Sequence, residues 1–98
     1  MQVEYWLHGI WFRGDSRKAA TNLRKHRVSF ESACESFFDP FVYWIESQMV
    51  WGEEREKIIG MTPDWQFLVV IYAESAEAIR LISARQATRQ ERQSYEDQ

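Results

Sequence analysis

The sequence predicts an α+β fold in which two N-terminal helices pack on an antiparallel sheet of three to four strands, with a short C-terminal helix. Apolar residues recur at helical spacing between Asp15 and Phe38, and from Phe41 they give way to runs rich in β-branched and aromatic residues. A helix-capping pattern follows at Thr88. The 98 residues suffice for one hydrophobic core, so we expect a single domain over residues 1–98.

The N-terminal segment, residues 3–13, is rich in β-branched and aromatic side chains and contains Gly9 near its middle. Such a segment is typical of one bulged strand or of a short hairpin, and both interpretations stay open. We assign residues 1–11 to an N-terminal extension or an extra strand of the domain.

Two helices are predicted next. Asp15 is a suitable N-cap for SRKAATNLRKH, in which the apolar residues share one face and the cations occupy the other. Ser29 is a second N-cap, for FESACESFF, whose apolar residues follow the i, i+3, i+4 pattern. Asp39 ends this helix because a residue that precedes a proline is pushed out of the helical region.

The second half of the chain predicts a sheet. Four segments read as strands, at residues 41–47, 55–61, 66–73 and 78–85. Short connectors favour an antiparallel meander, and the unbroken apolar run at 66–73 is typical of a central strand covered on both faces. Thr88 and Glu91 then form a capping-box pattern that opens a short helix.

The formal net charge of −3 hides a segregation of charge along the chain. Residues 13–27 and 80–92 are rich in arginine and lysine, whereas residues 31–56 hold seven acids against one arginine. This pattern predicts either a bipolar surface with a phosphate-attracting face or the more commonplace solvated helix faces.

Neither a metal nor a nucleotide cofactor is predicted. His8 and His26 are far apart in the sequence, Cys34 is the only cysteine, and the four glycines never cluster into a phosphate-binding loop. Cys34 falls on the apolar side of the second helix, which favours a packed thiol over a reactive one.

We expect a cytoplasmic protein with no membrane partner. The longest nearly uncharged apolar run, at 65–73, is much shorter than the roughly 20 residues that a bilayer-spanning helix needs. One cysteine cannot form an internal disulfide, which suits a reducing compartment.

One chemistry requires neither metal nor cofactor, namely cleavage of an RNA phosphodiester by its own 2′-hydroxyl. It needs a proton acceptor, a proton donor and cations that stabilise the charged transition state. Arginine suits the last role because its guanidinium stays charged and matches phosphate oxygens. Spacing does not select among the side chains that can transfer the proton, which are His26, Glu54, Tyr72 and Tyr95.

Two short motifs occur in a specific order, KHxVSFE at residues 25–31 and IRxISAR at residues 79–85. Asp15-x-x-Lys18 precedes them, and Glu91-Arg92 with Tyr95 follows. The intervening motifs are Phe38-Asp39-Pro40, Glu53-Glu54-Arg55, Ile59-Gly60 and Leu68-Val69-Val70. Over roughly residues 12–96, this succession closely resembles the BrnT family of bacterial toxins.

The resemblance implies a metal-independent endoribonuclease, with a fold similar to the RelE toxins, that inhibits translation until a cognate antitoxin neutralises it. The antitoxins of that family carry a ribbon-helix-helix DNA-binding part. RNA is therefore the implied substrate and the antitoxin the implied partner, with contact to DNA only through the antitoxin.

The resemblance also implies a site. Arg80 and Arg85 bind or stabilise the scissile phosphate, Arg55 assists them, and Tyr72 or His26 transfers a proton. His26 equally suits a structural role at the end of its helix. The residues assigned to RNA binding are Lys18, Arg24, Lys25 and Arg89, of which the first three also suit contact with an antitoxin.

Three features qualify this site. Arg80 and Arg85 are five residues apart, so they share a face only if the strand bulges or ends before Arg85. Arg27 stands where the family usually has glycine after the histidine, and Ser75 stands where an arginine is common. These departures keep open an alternative, a catalytically silent binding module that retains the toxin fold for partner docking and autoregulation.

Overall fold

A computed structural model describes residues 1–98 as one six-stranded mixed sheet with three helices. The elements in chain order are β1 (Gln2–Leu7), β2 (Ile10–Asp15), α1 (Ser16–His26), α2 (Phe30–Ser36), β3 (Tyr43–Val50), β4 (Glu53–Met61), β5 (Phe67–Glu74), β6 (Ile79–Gln86) and α3 (Arg89–Glu96). The strands lie side by side in the order β1-β2-β6-β5-β4-β3. None of the helices has the length and apolar character needed to cross a membrane.

The predicted sheet of three to four antiparallel strands is wrong, although the fold is α+β. The first fifteen residues form a hairpin whose turn residues, His8 and Gly9, both have positive φ. Its second strand pairs in parallel with β6, so the sheet is mixed. The hairpin itself is one of the two interpretations that the sequence allows for residues 3–13. Its parallel pairing with β6 joins opposite ends of the chain, and no local sequence pattern indicates such pairing.

The two early helices begin where the sequence predicts. The Asp15 carboxylate accepts hydrogen bonds from the first turn of α1, and the Ser29 hydroxyl caps α2 in the same way. Arg27 ends α1 in the left-handed region, with φ 59°, a conformation that favours glycine. This backbone requirement accounts for the glycine that the family pattern has at the position.

We call the side of the sheet on which α1 and α2 pack the covered face. It holds most of the hydrophobic core, including Phe12, Phe30, Val70 and Leu81. Gly60 lies here beneath the end of α2, and a Cβ at this position would collide with the backbone carbonyl of Ser36. The glycine therefore permits the close approach of α2 to β4.

A buried asparagine joins α1 to β6. The Asn22 side chain donates to the carbonyls of Val28 and Ala84, and it accepts from the Ala84 N–H at 3.0 Å. Because β2 pairs with β6 only as far as Arg13 and Arg80, the Asn22 amide takes the place of a neighbouring strand at Ala84.

We call the other side of the sheet the open face, because only α3 packs against one end of it. Ile59, Val69 and Tyr95 form a small buried cluster there. The Tyr95 hydroxyl donates to the buried Asp39 carboxylate, which also accepts from the N–H groups of Phe41 and Met61. Asp39 thus anchors α3 on the sheet.

Candidate active site on the open face

Three arginines lie in a row across the open face. Arg13 on β2 is level with Arg80 on β6, and Arg80 is level with Ala73 on β5. Continuing the β4–β5 register by one residue beyond its first pair sets Arg55 beside Ala73. The small side chain of Ala73 leaves room between the guanidinium groups of Arg55 and Arg80.

One carboxylate connects two of these arginines. Glu53 Oε1 accepts from Arg80 Nη2 at 2.5 Å and from Arg55 Nε at 3.3 Å. Burial raises the pKa of Glu53, but the hydrogen bonds and charges of Arg55 and Arg80 outweigh it and lower the pKa overall. Glu53 is therefore ionised at neutral pH. We call Glu53, Arg55 and Arg80 the arginine site.

Arg85 lies on the same face but in a different cluster. It forms a two-pronged ion pair with Glu91 of α3, at 2.8 and 2.9 Å, and Lys57 lies 3.6 Å from the same carboxylate. The hydrogen bonds from Arg85 are the main reason that the pKa of Glu91 falls to about 2. We call Lys57, Arg85 and Glu91 the Glu91 cluster.

A bulge in β6 allows both arginines to reach the open face. Ile71 is level with Ser83 and Tyr72 with Leu81, so Ile82 is an extra, unpaired residue. The extra residue shifts the alternation of side chains along β6 by one position, so Arg85 faces the same side of the sheet as Arg80. Their partners on β5 are four residues apart, which corresponds to about 13 Å of extended strand. In the structure the two arginines bind different carboxylates, Arg80 that of Glu53 and Arg85 that of Glu91.

The structure does not bring Tyr72 or His26 to these arginines. Tyr72 is buried on the covered face, with its ring 4.9 Å from that of Phe37, and burial raises its pKa. His26 is the half-buried last residue of α1, which also packs on the covered face. The sheet itself separates both side chains from the arginine site.

The residues predicted to bind RNA are dispersed. Lys18 lines, together with Arg80, an open hollow of about 500 Å³ at the start of α1. Arg24 and Lys25 are exposed on α1, on the opposite side of the sheet from the arginine site. Arg89 is exposed at the start of α3. Only Lys18 borders the site.

Sequence reasoning missed Glu53 and Glu91. Glu54 was considered for proton transfer, but Glu54 is level with Met49 and faces away from the open face. The signal for Glu53 was its spacing of two from Arg55, which puts both on one face of a strand. Glu91 is predicted as a helix-capping residue and as part of the motif succession, and it does accept from the Thr88 N–H at 2.9 Å.

No group of three or more His, Cys, Asp or Glu side chains is arranged to hold a metal ion. Cys34 is buried in the core as predicted, and burial raises the pKa of its thiol to about 12. The charged groups on the open face are guanidinium, ammonium and carboxylate groups.

Fold and site together define a class of protein: a small α+β domain that presents arginines on one exposed sheet face, where they suit the binding of phosphate groups. Residues 15–91 match the family described as "Ribonuclease toxin, BrnT, of type II toxin-antitoxin system". The chain belongs to this family of ribonuclease toxins, which confirms the resemblance seen in the motifs. Membership implies an antitoxin partner.

A solved structure supports the fold. The chain is similar to the crystal structure of the Brucella abortus ribonuclease toxin BrnT, with a TM-score of 0.53 and 23% sequence identity. The match covers 78% of this chain and 94% of that chain. No curated protein sequence matches. The β1 strand and most of β2 precede the residues matched by the family.

Proposed function

We propose that the protein is an endoribonuclease toxin that cuts single-stranded RNA at the arginine site and thereby inhibits translation. The observation that carries this proposal is the convergence of Arg55 and Arg80 on the ionised Glu53, on an exposed face of a ribonuclease-family fold. The reaction requires no metal, because its charge stabilisation comes from the guanidinium groups.

The arginines bind the scissile phosphate. Arg80 is about half exposed and Arg55 is partly buried, so Arg80 can rotate toward a ligand while Arg55 stays fixed. A phosphate oxygen then replaces the Glu53 oxygen as the acceptor of the Arg80 hydrogen bond. The same two cations stabilise the extra negative charge that develops on the phosphorus oxygens in the transition state.

Glu53 acts as the proton acceptor. Its carboxylate takes the proton of the 2′-hydroxyl as that oxygen attacks phosphorus, and the bond from phosphorus to the 5′-oxygen breaks. The products are a 2′,3′-cyclic phosphate and a 5′-hydroxyl, whose oxygen takes its proton from water at this open surface. Tyr72 and His26 have no part in this mechanism, because the sheet lies between them and Glu53.

The Glu91 cluster binds a neighbouring phosphate. Arg85 and Lys57 lie along the same face, and a phosphate exchanges with the Glu91 carboxylate that now neutralises them. Lys18 extends the cationic surface on the other side of Arg80. RNA thus runs along the open face, roughly parallel to β6.

The antitoxin covers this same face. A ribbon-helix-helix protein that occupied the open face would block the arginine site and would connect the toxin to DNA without a direct contact. The mixture of acids and bases on the face suits such a polar interface, because each guanidinium can exchange one carboxylate partner for another.

The first prediction concerns cleavage by purified protein. Arg80→Ala and Arg55→Ala each lower the rate of cleavage of single-stranded RNA by about 10²- to 10³-fold, because each removes a group that stabilises transition-state charge. Cleavage is measured on end-labelled RNA with excess chelator present. Arg24→Ala, on the far side of the sheet, is the matched arginine control and retains wild-type cleavage.

Three results contradict the proposal. Cleavage that disappears with chelator rules out the metal-independent mechanism, and equal rates in the wild type and the Arg80→Ala variant rule out the site. Purified wild type that binds its antitoxin yet never cuts RNA favours the catalytically silent module.

A further inference from the structure

Two exposed tryptophans extend the open face beyond the arginines. Trp6 and Trp11 are paired across the hairpin, with ring centroids 4.9 Å apart and exposed fractions of 57% and 44%. Trp11 is two residues from Arg13 and next to the core residue Phe12, so both indoles lie on the open face.

The position of this pair is unlike that of the other exposed tryptophans. Trp51 and Trp65 are single residues at turns, and Trp44 is a single residue on β3 that donates its indole N–H to Glu56. Trp6 and Trp11 instead form a continuous aromatic surface within a strand pair. The hydrophobic core does not use them. Large aromatic rings that stay exposed side by side are typical of a binding surface.

The tryptophan pair continues the arginine row. Arg13 lies between Trp11 and Arg80, and standard strand geometry separates the backbone of Trp11 from that of Arg80 by about 8 Å. One nucleotide can bridge this distance, with its phosphate at Arg80 and a base against an indole. Stacking on aromatic rings beside a cationic groove is how proteins bind single-stranded RNA.

The charges around the pair decide which part of a nucleotide approaches it. Trp11 borders a shallow hollow of about 310 Å³ between the β1–β2 turn and the β5–β6 connector. Glu74 and Glu77 also line this hollow. These carboxylates repel phosphate but accept hydrogen bonds from the amino groups of bases. Bases are therefore favoured at the hairpin and phosphates at the arginines.

We infer that Trp6 and Trp11 form a base-stacking platform that binds the single-stranded RNA next to the phosphate held by Arg80. This inference rests on the proposed function, because it assigns the substrate of that site as RNA with unpaired, unstacked bases. It adds to the catalytic domain an element from outside the residues that the family match covers.

The test uses the full chain and uncleavable single-stranded oligonucleotides with 2′-O-methyl riboses, as adenylate and uridylate homopolymers. A matched strand with abasic sites keeps the phosphates and lacks the bases. Fluorescence anisotropy of a dye-labelled strand gives the affinities. The double variant Trp6→Ala, Trp11→Ala binds the base-bearing strands about tenfold more weakly per lost stacked base, and binds the abasic strand like the wild type.

Two further variants exclude trivial causes. Trp6→Phe with Trp11→Phe keeps aromatic faces and retains most of the affinity, because stacking needs an aromatic face and not an indole N–H. Trp51→Ala removes a tryptophan that is 99% exposed at the β3–β4 turn, and its affinity equals that of the wild type. Circular dichroism and thermal unfolding verify that each variant is folded.

Several outcomes overturn the inference. The inference is wrong if the alanine double variant binds every strand like the wild type. It is also wrong if that variant loses the same affinity for base-bearing and abasic strands. A loss of self-association or antitoxin binding in that variant, with RNA affinity unchanged, assigns the hairpin to a protein contact instead.

Failure of the stacking inference is distinguishable from failure of the proposed function. Cleavage that depends on Arg80 but not on the tryptophans refutes only the platform. Base-dependent binding by a wild type that never cuts natural RNA refutes only the nuclease.

Discussion

Glu53 accepts hydrogen bonds from both Arg55 and Arg80. In the proposed mechanism its carboxylate competes with phosphate for these arginines, and it is also the proton acceptor nearest to the bound phosphate. Binding and catalysis therefore make opposite demands on the same group. A substitution that removes the charge of Glu53 and keeps the shape of its side chain separates the effect on binding from the effect on catalysis.

Glu53→Gln is expected to lower kcat by about 100-fold or more, which is the usual loss when a general base is removed. KM falls in the same variant, because phosphate no longer displaces an anion from the arginines. Steady-state cleavage of a short RNA gives both constants. Glu54→Gln, one residue away and facing the other side of β4, serves as the control and leaves both constants unchanged. A higher kcat in Glu53→Gln identifies the carboxylate as a mere competitor.

At the residue scale, the sequence shows which side chains are available but not which face of the sheet each one occupies. Arg55 and Arg80 were predicted from the motifs, and the structure brings them together. The Tyr72 hydroxyl suits proton transfer, but strand alternation alone does not tell which face of β5 the helices cover. Asn22 lies in the first predicted helix, yet its hydrogen bonds to β6 depend on contacts that only the folded chain creates.

At the scale of elements, caps and turns were predictable because they depend on neighbouring residues. The N-caps Asp15, Ser29 and Thr88 all begin helices in the structure. The bulge at Ile82 was not predictable, because IRLISAR carries no glycine or proline to mark it. Side-chain alternation indicates only that Arg80 and Arg85 share a face if the strand bulges or ends between them. It does not tell where the bulge lies.

Helix α3 is attached to the sheet partly by charge, and this makes its stability depend on pH. Because the pKa of Glu91 is about 2 in the folded protein, below its ordinary value of 4.5, its ionised form stabilises the fold. That contribution is complete above about pH 4.5 and is lost as the pH falls through 2.

We therefore expect Glu91→Gln to lower the thermal midpoint at neutral pH and to flatten its decline between pH 4.5 and 2. Glutamine keeps the capping hydrogen bond, so the change reports the charge. Thermal unfolding followed by circular dichroism across this range is the measurement. Glu96→Gln, which breaks only the exposed pair with Arg92, is the control and shifts stability by no more than about 0.5 kcal/mol. Parallel pH curves for Glu91→Gln and wild type contradict the assignment.

At the scale of the whole molecule, the charge blocks in the sequence do not form separate faces. Glu46 and Glu53 belong to the acidic block, yet they pair with Lys57 and Arg80 on the open face. Strand pairing mixes segments that are distant in sequence, so linear charge segregation was a poor guide to the surface. The long-range field of a chain with net charge −3 does not attract RNA, so the proposed RNA binding depends on local contacts.

This distinction predicts how RNA binding responds to salt. Each phosphate contact on a single strand contributes about −0.7 to the slope of log K against log salt concentration, since it releases condensed counterions. The scissile phosphate at Arg55 and Arg80 and the neighbouring phosphate at Arg85 together give a slope of about −1.4. Arg85→Ala reduces its magnitude by about 0.7, whereas the alanine double variant of Trp6 and Trp11 lowers affinity at every salt concentration without changing the slope. Titrations of the uncleavable uridylate strand over a range of potassium chloride concentrations measure both effects. If Arg85→Ala keeps the wild-type slope, Arg85 stays bound to Glu91 in the complex, and the RNA path ends at the arginine site.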